Sequence, residues 1–175
     1  MYNPFFFKDY PFPAALKKKS PSYNWYISAD QIFRSNTEGL EKFSKFFGME
    51  FRISRFSLFD GEKSFDSAVS AKNVKIYMGA GGHCAMIQGR LTKGIVIPKI
   101  IIKKTAVLMG KTEILETKEF SKCVIQSFLL IGEVVSFSFR YSSYADSYTD
   151  FNEDGTVRGT TASKIDLIKW EVENS

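Results

Sequence analysis

A mainly β protein of the α+β kind follows from three features of this chain. The segment Glu133–Tyr144 alternates strictly, with Val135, Phe137, Phe139 and Tyr141 on one side and Ser136, Ser138, Arg140 and Ser142 on the other. That is the two-residue period of a strand with one face on a core and one on water. Aromatic residues are in excess, 17 Phe and 8 Tyr, and such side chains favour strands and bury large areas. Turn signals such as Asp60-Gly61 and Gly132-Glu133 separate short apolar runs. The expected architecture is a small antiparallel β-barrel or two-sheet sandwich with one or two short helices. An extended amino-terminal arm, residues 1–24, precedes a single β-barrel domain, residues 25–175. A strand polar along one whole face suits a barrel wall that lines a wet space, and suits a catalytic pocket less well.

The arm is read from Pro4, Pro11, Pro13 and Pro21, which interrupt every helix there, beside the run Lys17-Lys18-Lys19. Five aromatics between Tyr2 and Tyr10, then Phe12, predict that it lies against its own domain or a neighbouring copy. Trp25–Phe33 is the first expected strand. Ser35-Asn36-Thr37-Glu38 has the capping-box pattern, and Leu40, Phe43, Phe46 and Phe47 follow at helical spacing with Gly48 as a stop. This predicts a helix over Ser35–Phe47. Met49–Leu58 is the second strand, closed by Asp60-Gly61. Val74, Ile76 and Met78 alternate with Lys75 and Tyr77. Ile95–Lys103 is an apolar strand whose Pro98 predicts an edge or a bulge. Thr112–Cys123 is expected to hold a short helix capped by Thr112. Val124–Ile131 and Val134–Tyr144 form a hairpin about Gly132-Glu133. In the closing strand Lys164–Val172 the parity changes at Leu167-Ile168, where Ile165 and Leu167 give way to Trp170 and Val172, which predicts a bulge.

An apolar fraction of 44% over 175 residues is enough for one ordinary core, and a net charge of +5 does not by itself indicate nucleic acid. Cys84 and Cys123 have no metal or redox spacing and read as reduced, packed thiols. The start of the chain lacks a basic region followed by a long apolar run, so no signal peptide is expected, and Ile95–Ile102 and Val124–Ile131 are too short to span a bilayer as helices. The expectation is a soluble protein made in the cytoplasm.

Chemistry is sparse. His83, the one histidine, sits in Gly79-Ala-Gly-Gly-His-Cys84. An enzyme built on His83 and Cys84 is disfavoured, because neighbours on an extended chain point to opposite faces, and a glycine-rich loop with a solvated histidine is expected. Gly110-Lys111-Thr112 lacks the glycine five residues earlier that a phosphate loop needs, since Thr105 stands there. Asp150, Asn152, Asp154 and Thr156, with Gly155 between the last two, place oxygens at alternate positions like the first half of a calcium loop. The twelfth position is Thr161 where a glutamate belongs, so the competing reading is an acidic turn with Asp154-Gly155 supplying the positive φ. Lys17–Lys19 and Lys103-Lys104 read as solvated faces.

Three stretches resemble the tube-forming proteins of contractile injection machines, namely the haemolysin-coregulated (Hcp) family of type VI secretion and the tail tube proteins of contractile phages. Gly89–Lys104 is similar to the family's strand entering its central helix, Val134–Tyr144 to the strand closed by a Ser-Ser-Tyr turn, and Lys164–Val172 to its final strand. The resemblance covers about half the chain. The arm, the Ser35–Phe47 segment and the long Asp150–Thr161 turn depart from a minimal tube protein. It implies a structural role without catalysis or cofactor: a small β-barrel flanked by a helix, assembling head-to-tail into rings, usually hexamers, that stack into a hollow tube. Partners would be further copies of the chain, the sheath, baseplate or spike of the same machine, and DNA or effector protein in the lumen, after assembly in the cytoplasm and placement in a phage tail or secreted tube. The expected contact residues between copies are Phe5, Phe6, Phe7 and Phe12 of the arm, Ile97, Pro98 and Ile100 of the edge strand, and Ile165 and Trp170 of the closing strand. The reading from another class is a monomeric β-rich binding module with a weak calcium site at Asp150–Thr156.

Overall fold

The computed structural model describes residues 23–29, 32–33, 40–60, 63–71 and 73–167. The arm contacts Phe5, Phe6, Phe7 and Phe12, the Ser35–Glu38 capping box, and Trp170 lie outside them.

Eleven strands and one helix are formed by the described residues: β1 Asn24–Ala29, β2 Ser44–Phe46, β3 Gly48–Glu50, β4 Ile53–Asp60, β5 Lys63–Ala71, β6 Val74–Gly79, α1 His83–Lys93, β7 Ile97–Leu108, β8 Lys111–Ile131, β9 Val134–Arg140, β10 Ser143–Phe151 and β11 Val157–Asp166. All pairings are antiparallel, so the mainly β expectation holds. Nine strands form one sheet in the order β2-β1-β7-β8-β9-β6-β3, with β10 pairing β8 and β11, while β4 and β5 make a separate ribbon.

The 21-residue β8 organises this sheet. Its first half lies between β7 and β10, with Lys118 opposite both Ile102 and Asp146. Its second half pairs with β9, Phe128 opposite Phe137. Between the halves Lys122 adopts a positive φ of 49°, and the register against β9 shifts between Ile125 and Ser127. Irregularities of this kind bend a strand and raise its twist, so β8 passes from one layer to the other.

The sheet does not close into a continuous barrel ladder. Its order begins on β2 and ends on β3, two strands separated in sequence by Phe47 alone, and Phe47 N donates to Tyr77 O of β6 at 3.1 Å. The two ends therefore meet on one short segment. Inside lies a single large cluster that includes Ile27, Phe46, Ile76, Ile87, Ile100, Ile102, Phe120, Phe137 and Phe139. Phe120 has ring neighbours at 4.9 to 5.6 Å in Phe51, Phe139, Tyr141 and Tyr144, in tilted and edge-on arrangements that suit aromatic quadrupoles.

Several local expectations are corrected. The end of the expected Ser35–Phe47 helix is β2, paired to β1 with Trp25 opposite Phe46. Phe46 is 3% exposed and its neighbour Phe47 62%, the opposed facing of a strand. Leu40 and Phe43 owe their spacing to a turn, Phe43 N donating to Leu40 O at 2.9 Å, which packs both on Tyr26. Thr112–Cys123 is strand, because pairing on both flanks overrides a weak local helix preference. Met49–Leu58 divides into β3 and β4, and β1 stops at Ala29, short of Phe33.

The helix that does form, α1, falls where a loop was expected, and the chain runs from helix into strand across Gly89–Lys104 rather than the reverse. Its amino end has Gly82 as cap, with no side-chain capping bond and no acidic residue in the first turn, so it gives no signal in the sequence. Its end is conventional: Gly94 has φ 60°, and the N–H groups of Gly94 and Ile95 donate to Leu91 O and Arg90 O, as in a Schellman motif. Ile87 is fully buried and anchors the helix to the core, where α1 contacts β8.

Candidate assembly surfaces

The residues expected at contacts between copies separate in the structure. Ile97 and Ile100 are fully buried in the chain's own core. β7 is not an edge strand, since β1 and β8 flank it, but β1 reaches only to Ile100, so Pro98 lies past its end. Pro98 is exposed, and the buried face changes parity between Ile97 and Ile100 around it, in keeping with a residue that cannot donate to a ladder. Ile165 is partly buried against the core. The expected Leu167-Ile168 bulge extends past the described residues, and the register shift found in this hairpin lies at Asp150/Phe151.

The serine side of β9 is not a wet face. Ser136 and Ser138 are buried, with Tyr77 and Leu129 opposite Ser136, and Lys75 and Ser127 opposite Ser138. The Ser127 and Ser138 hydroxyls meet at 2.6 Å. Small side chains between longer ones are shaded from water, which alternation alone does not reveal.

Free surface occurs instead at two places that the sequence did not single out. β11 pairs only with β10 among the described strands, and Val157–Lys164 is exposed at every position. Its outer edge is a row of N–H and C=O groups open to pairing with another chain. The β8–β9 hairpin tip exposes Leu129, Leu130, Ile131 and Val134 around Gly132, whose φ is 58°. Ala80 N donates to Glu133 O at 2.8 Å, tying the segment before α1 to this tip.

The stretch that resembles a calcium half-loop is a closed turn between β10 and β11. Asn152 N donates to Thr156 O at 2.8 Å and Gly155 N to Asn152 O at 3.0 Å, with Gly155 at φ 82°. Thr156 gives both its N–H and its hydroxyl to Asp154 Oδ1, at 2.9 and 2.6 Å, which holds the Asp154 carboxyl below its ordinary range. Asn152 Nδ2 donates to Thr156 Oγ1 at 2.9 Å. Asp150 sits in the ladder opposite Gly159. Among the described residues no three His, Cys, Asp or Glu side chains gather to hold a metal.

A buried polar cluster was also missed. Lys118, with 9% of its side chain exposed, pairs with Glu116 and with Asp146 Oδ2 at 2.9 Å, and donates to the Tyr144 hydroxyl at 3.2 Å. Burial on its own would lower the Lys118 pKa, but the bonds to Glu116, Asp146 and Tyr144 outweigh it and hold the ammonium more firmly charged. Reading 116, 118 and 120 as alternate strand positions would have placed Lys118 on the face of Phe120.

His83 lies in the first turn of α1, half-buried, its ring 5.7 Å from Phe33. Cys84 Sγ accepts from Gly81 N at 3.4 Å. Cys123 is fully buried, which pushes its thiol up to about 12. No helix among the described residues is long and apolar enough to cross a membrane.

No protein-family model matches the sequence, and no curated protein matches it. Solved structures do. A type six secretion system protein superposes with a TM-score of 0.75 at 13% identity, over 85% of this chain and 98% of its own. Hcp1 from Salmonella typhimurium gives 0.66 at 13% identity over 85% and 97%, and the secreted protein Hcp3 from Pseudomonas aeruginosa 0.57 at 15% over 84% and 98%. The chain has the Hcp fold.

Proposed function

We propose that this Hcp-fold chain is a non-enzymatic structural subunit that assembles head-to-tail with copies of itself into a ring, and by stacking into a hollow tube, of a contractile injection machine. The observation that carries this reading is the superposition on a type six secretion system protein across 98% of that protein's length. Such likeness spans the architecture and not one motif, and because the neighbours are secretion proteins, the secretion machine is favoured over the phage tail. Six-fold closure, a barrel wall around a lumen, cargo of effector protein or DNA, and partners in the sheath, baseplate or spike are the finer parts of the proposal.

Two features supply the adhesion a ring needs. The edge of β11 offers strand addition, and the apolar tip Leu129–Val134 offers burial. The separate β4–β5 ribbon is a third candidate, since an isolated two-stranded hairpin is marginally stable without something to pack against.

The test is negative-stain electron microscopy with mass measurement at low and high protein concentration. Rings or tubes of uniform diameter are expected, lost in a variant carrying Ile131→Glu, which puts a charge on the exposed apolar tip without touching the core. Monomers that persist on concentrating would defeat the tube reading. A saturable rise in melting temperature of those monomers with calcium would favour the binding-module alternative at Asp150, Asn152, Asp154 and Thr156.

A further inference from the structure

His83 is the chain's only histidine. Its Nε2 is buried with no hydrogen-bond partner among the described residues, and a backbone hydrogen bond ties the ring to Gly79, where β6 ends. One side of the ring rests on Phe33, and the other closes on Gly81, where an added Cβ would stand 3.2 Å from Cε1. A neutral imidazole fits this space, but a proton on Nε2 would bring an N–H and a full charge into a buried position without an acceptor. The charge would also stand at the positive end of α1, whose first turn contains no acidic side chain.

We infer that His83 is a pH-sensitive latch: its neutral ring holds the first turn of α1 and the Gly79–Gly82 turn against the β8–β9 tip, and protonation releases that end of the helix. The mechanical link is already in place. Gly79 is bonded to the ring, Ala80 N is bonded to Glu133 O in the tip, and Cys84 N to Gly81 O at 3.0 Å. Loss of the ring's seat therefore loosens one continuous stretch from the end of β6 into α1, together with the apolar tip.

Among the described residues, the titratable and charged groups around the latch do not offset the proton. α1 brings Cys84 beside it, and its Arg90 and Lys93 stand at the far end. The β8–β9 turn brings Glu133, whose side chain is exposed. Phe33 brings only a ring, and β6 ends on Gly79; its Lys75 lies over the Tyr77 ring, and Tyr77 is bonded to Glu50. Burial lowers the His83 titration and the Gly79 bond opposes it, with burial the larger cause. A histidine depressed in the folded state contributes its full stability above the ordinary value of 6.5 and loses it as pH falls below that.

The test uses the whole protein. A single imidazole signal can be titrated by NMR, and its midpoint is expected below 6.5. Hydrogen exchange compared at pH 7.5 and 5.0, after correction for intrinsic rates, should accelerate at Ala80 and across Cys84–Ile87, by about tenfold for each unit from 6.5 down to the midpoint and no further below it. Ile100 and Ile102 amides in β7 should not change. His83→Phe keeps the ring packing and should abolish the acceleration, and His83→Gln should do the same without aromatic packing. A midpoint at or above 6.5, or equal acceleration in wild type and both variants, would overturn the latch.

Discussion

Replacing Lys118 with methionine tests the buried cluster most directly, because the unbranched apolar stem is kept and the charged terminal group goes. The Lys118–Asp146 contact at 2.9 Å corresponds to an attraction of about 6 kcal/mol at an effective dielectric of 20, and most of this is cancelled by the cost of taking both charges from water. Breaking a buried pair typically costs about 3–5 kcal/mol, because the remaining charges stay buried. Here Glu116 and Asp146 keep 16% and 27% side-chain exposure, so water reaches them after the change, and about 2–3 kcal/mol is expected. In a chain of this size each kcal/mol moves the melting temperature by about 2–4 °C, so thermal unfolding at pH 7 followed by circular dichroism should show a drop of about 4–12 °C. The exposed pair Lys99–Glu119, at 2.8 Å with 50% and 40% exposure, is the internal control, and Lys99→Met should cost under about 1 kcal/mol. The folded-state pKa of Lys118 is raised, so its contribution is complete below 10.5 and disappears only as pH rises through the higher folded value. Equal losses in the two variants, or a Lys118→Met protein as stable as wild type, would refute the argument that burial makes this pair matter.

Two further expectations concern single positions. A disulfide reagent at pH 8 should label Cys84 in the native protein and Cys123 only on unfolding, since Cys123 is fully buried and its thiol is pushed up to about 12; simultaneous labelling would show that β8 opens there. Met109 and Gly110 both have positive φ, 50° and 80°, in the two-residue turn between Leu108 and Lys111, so Met109→Asn should raise stability by about 0.5–1 kcal/mol in urea unfolding, and a loss would mean that the Met109 contact with Gly155 outweighs the backbone term.

What the sequence disclosed was decided by alternation and by turns. β6, β9 and the Gly132-Glu133 hairpin follow Val74-Ile76-Met78 and Val135-Phe137-Phe139, because both strands have one face in the core. The errors come where one residue serves two geometries. Leu40, Phe43, Phe46 and Phe47 satisfy helical spacing while the chain makes a turn and then a strand, and Ile114, Leu115 and Lys118 imitate a helical stripe within β8 because the register against β7 shifts at Lys104/Thr105. α1 was hidden by its glycines: Gly81, Gly82 and Gly89 suppress every local helix signal, and Ile87 packing supplies what propensity does not. Of the contact residues expected from the resemblance, Ile97 and Ile100 turn inward because an apolar strand with neighbours on both sides reads the same as an apolar edge.

The bent strand β8 has one more consequence. Its first half supplies the ladder for β7 and β10 and its second half the ladder for β9, so the two layers share one unbroken strand. Neither layer is then a separable folding unit, and a pull applied to one hairpin is carried along a continuous backbone to the opposite side of the molecule. A chain wired in this way should yield all at once rather than strand by strand.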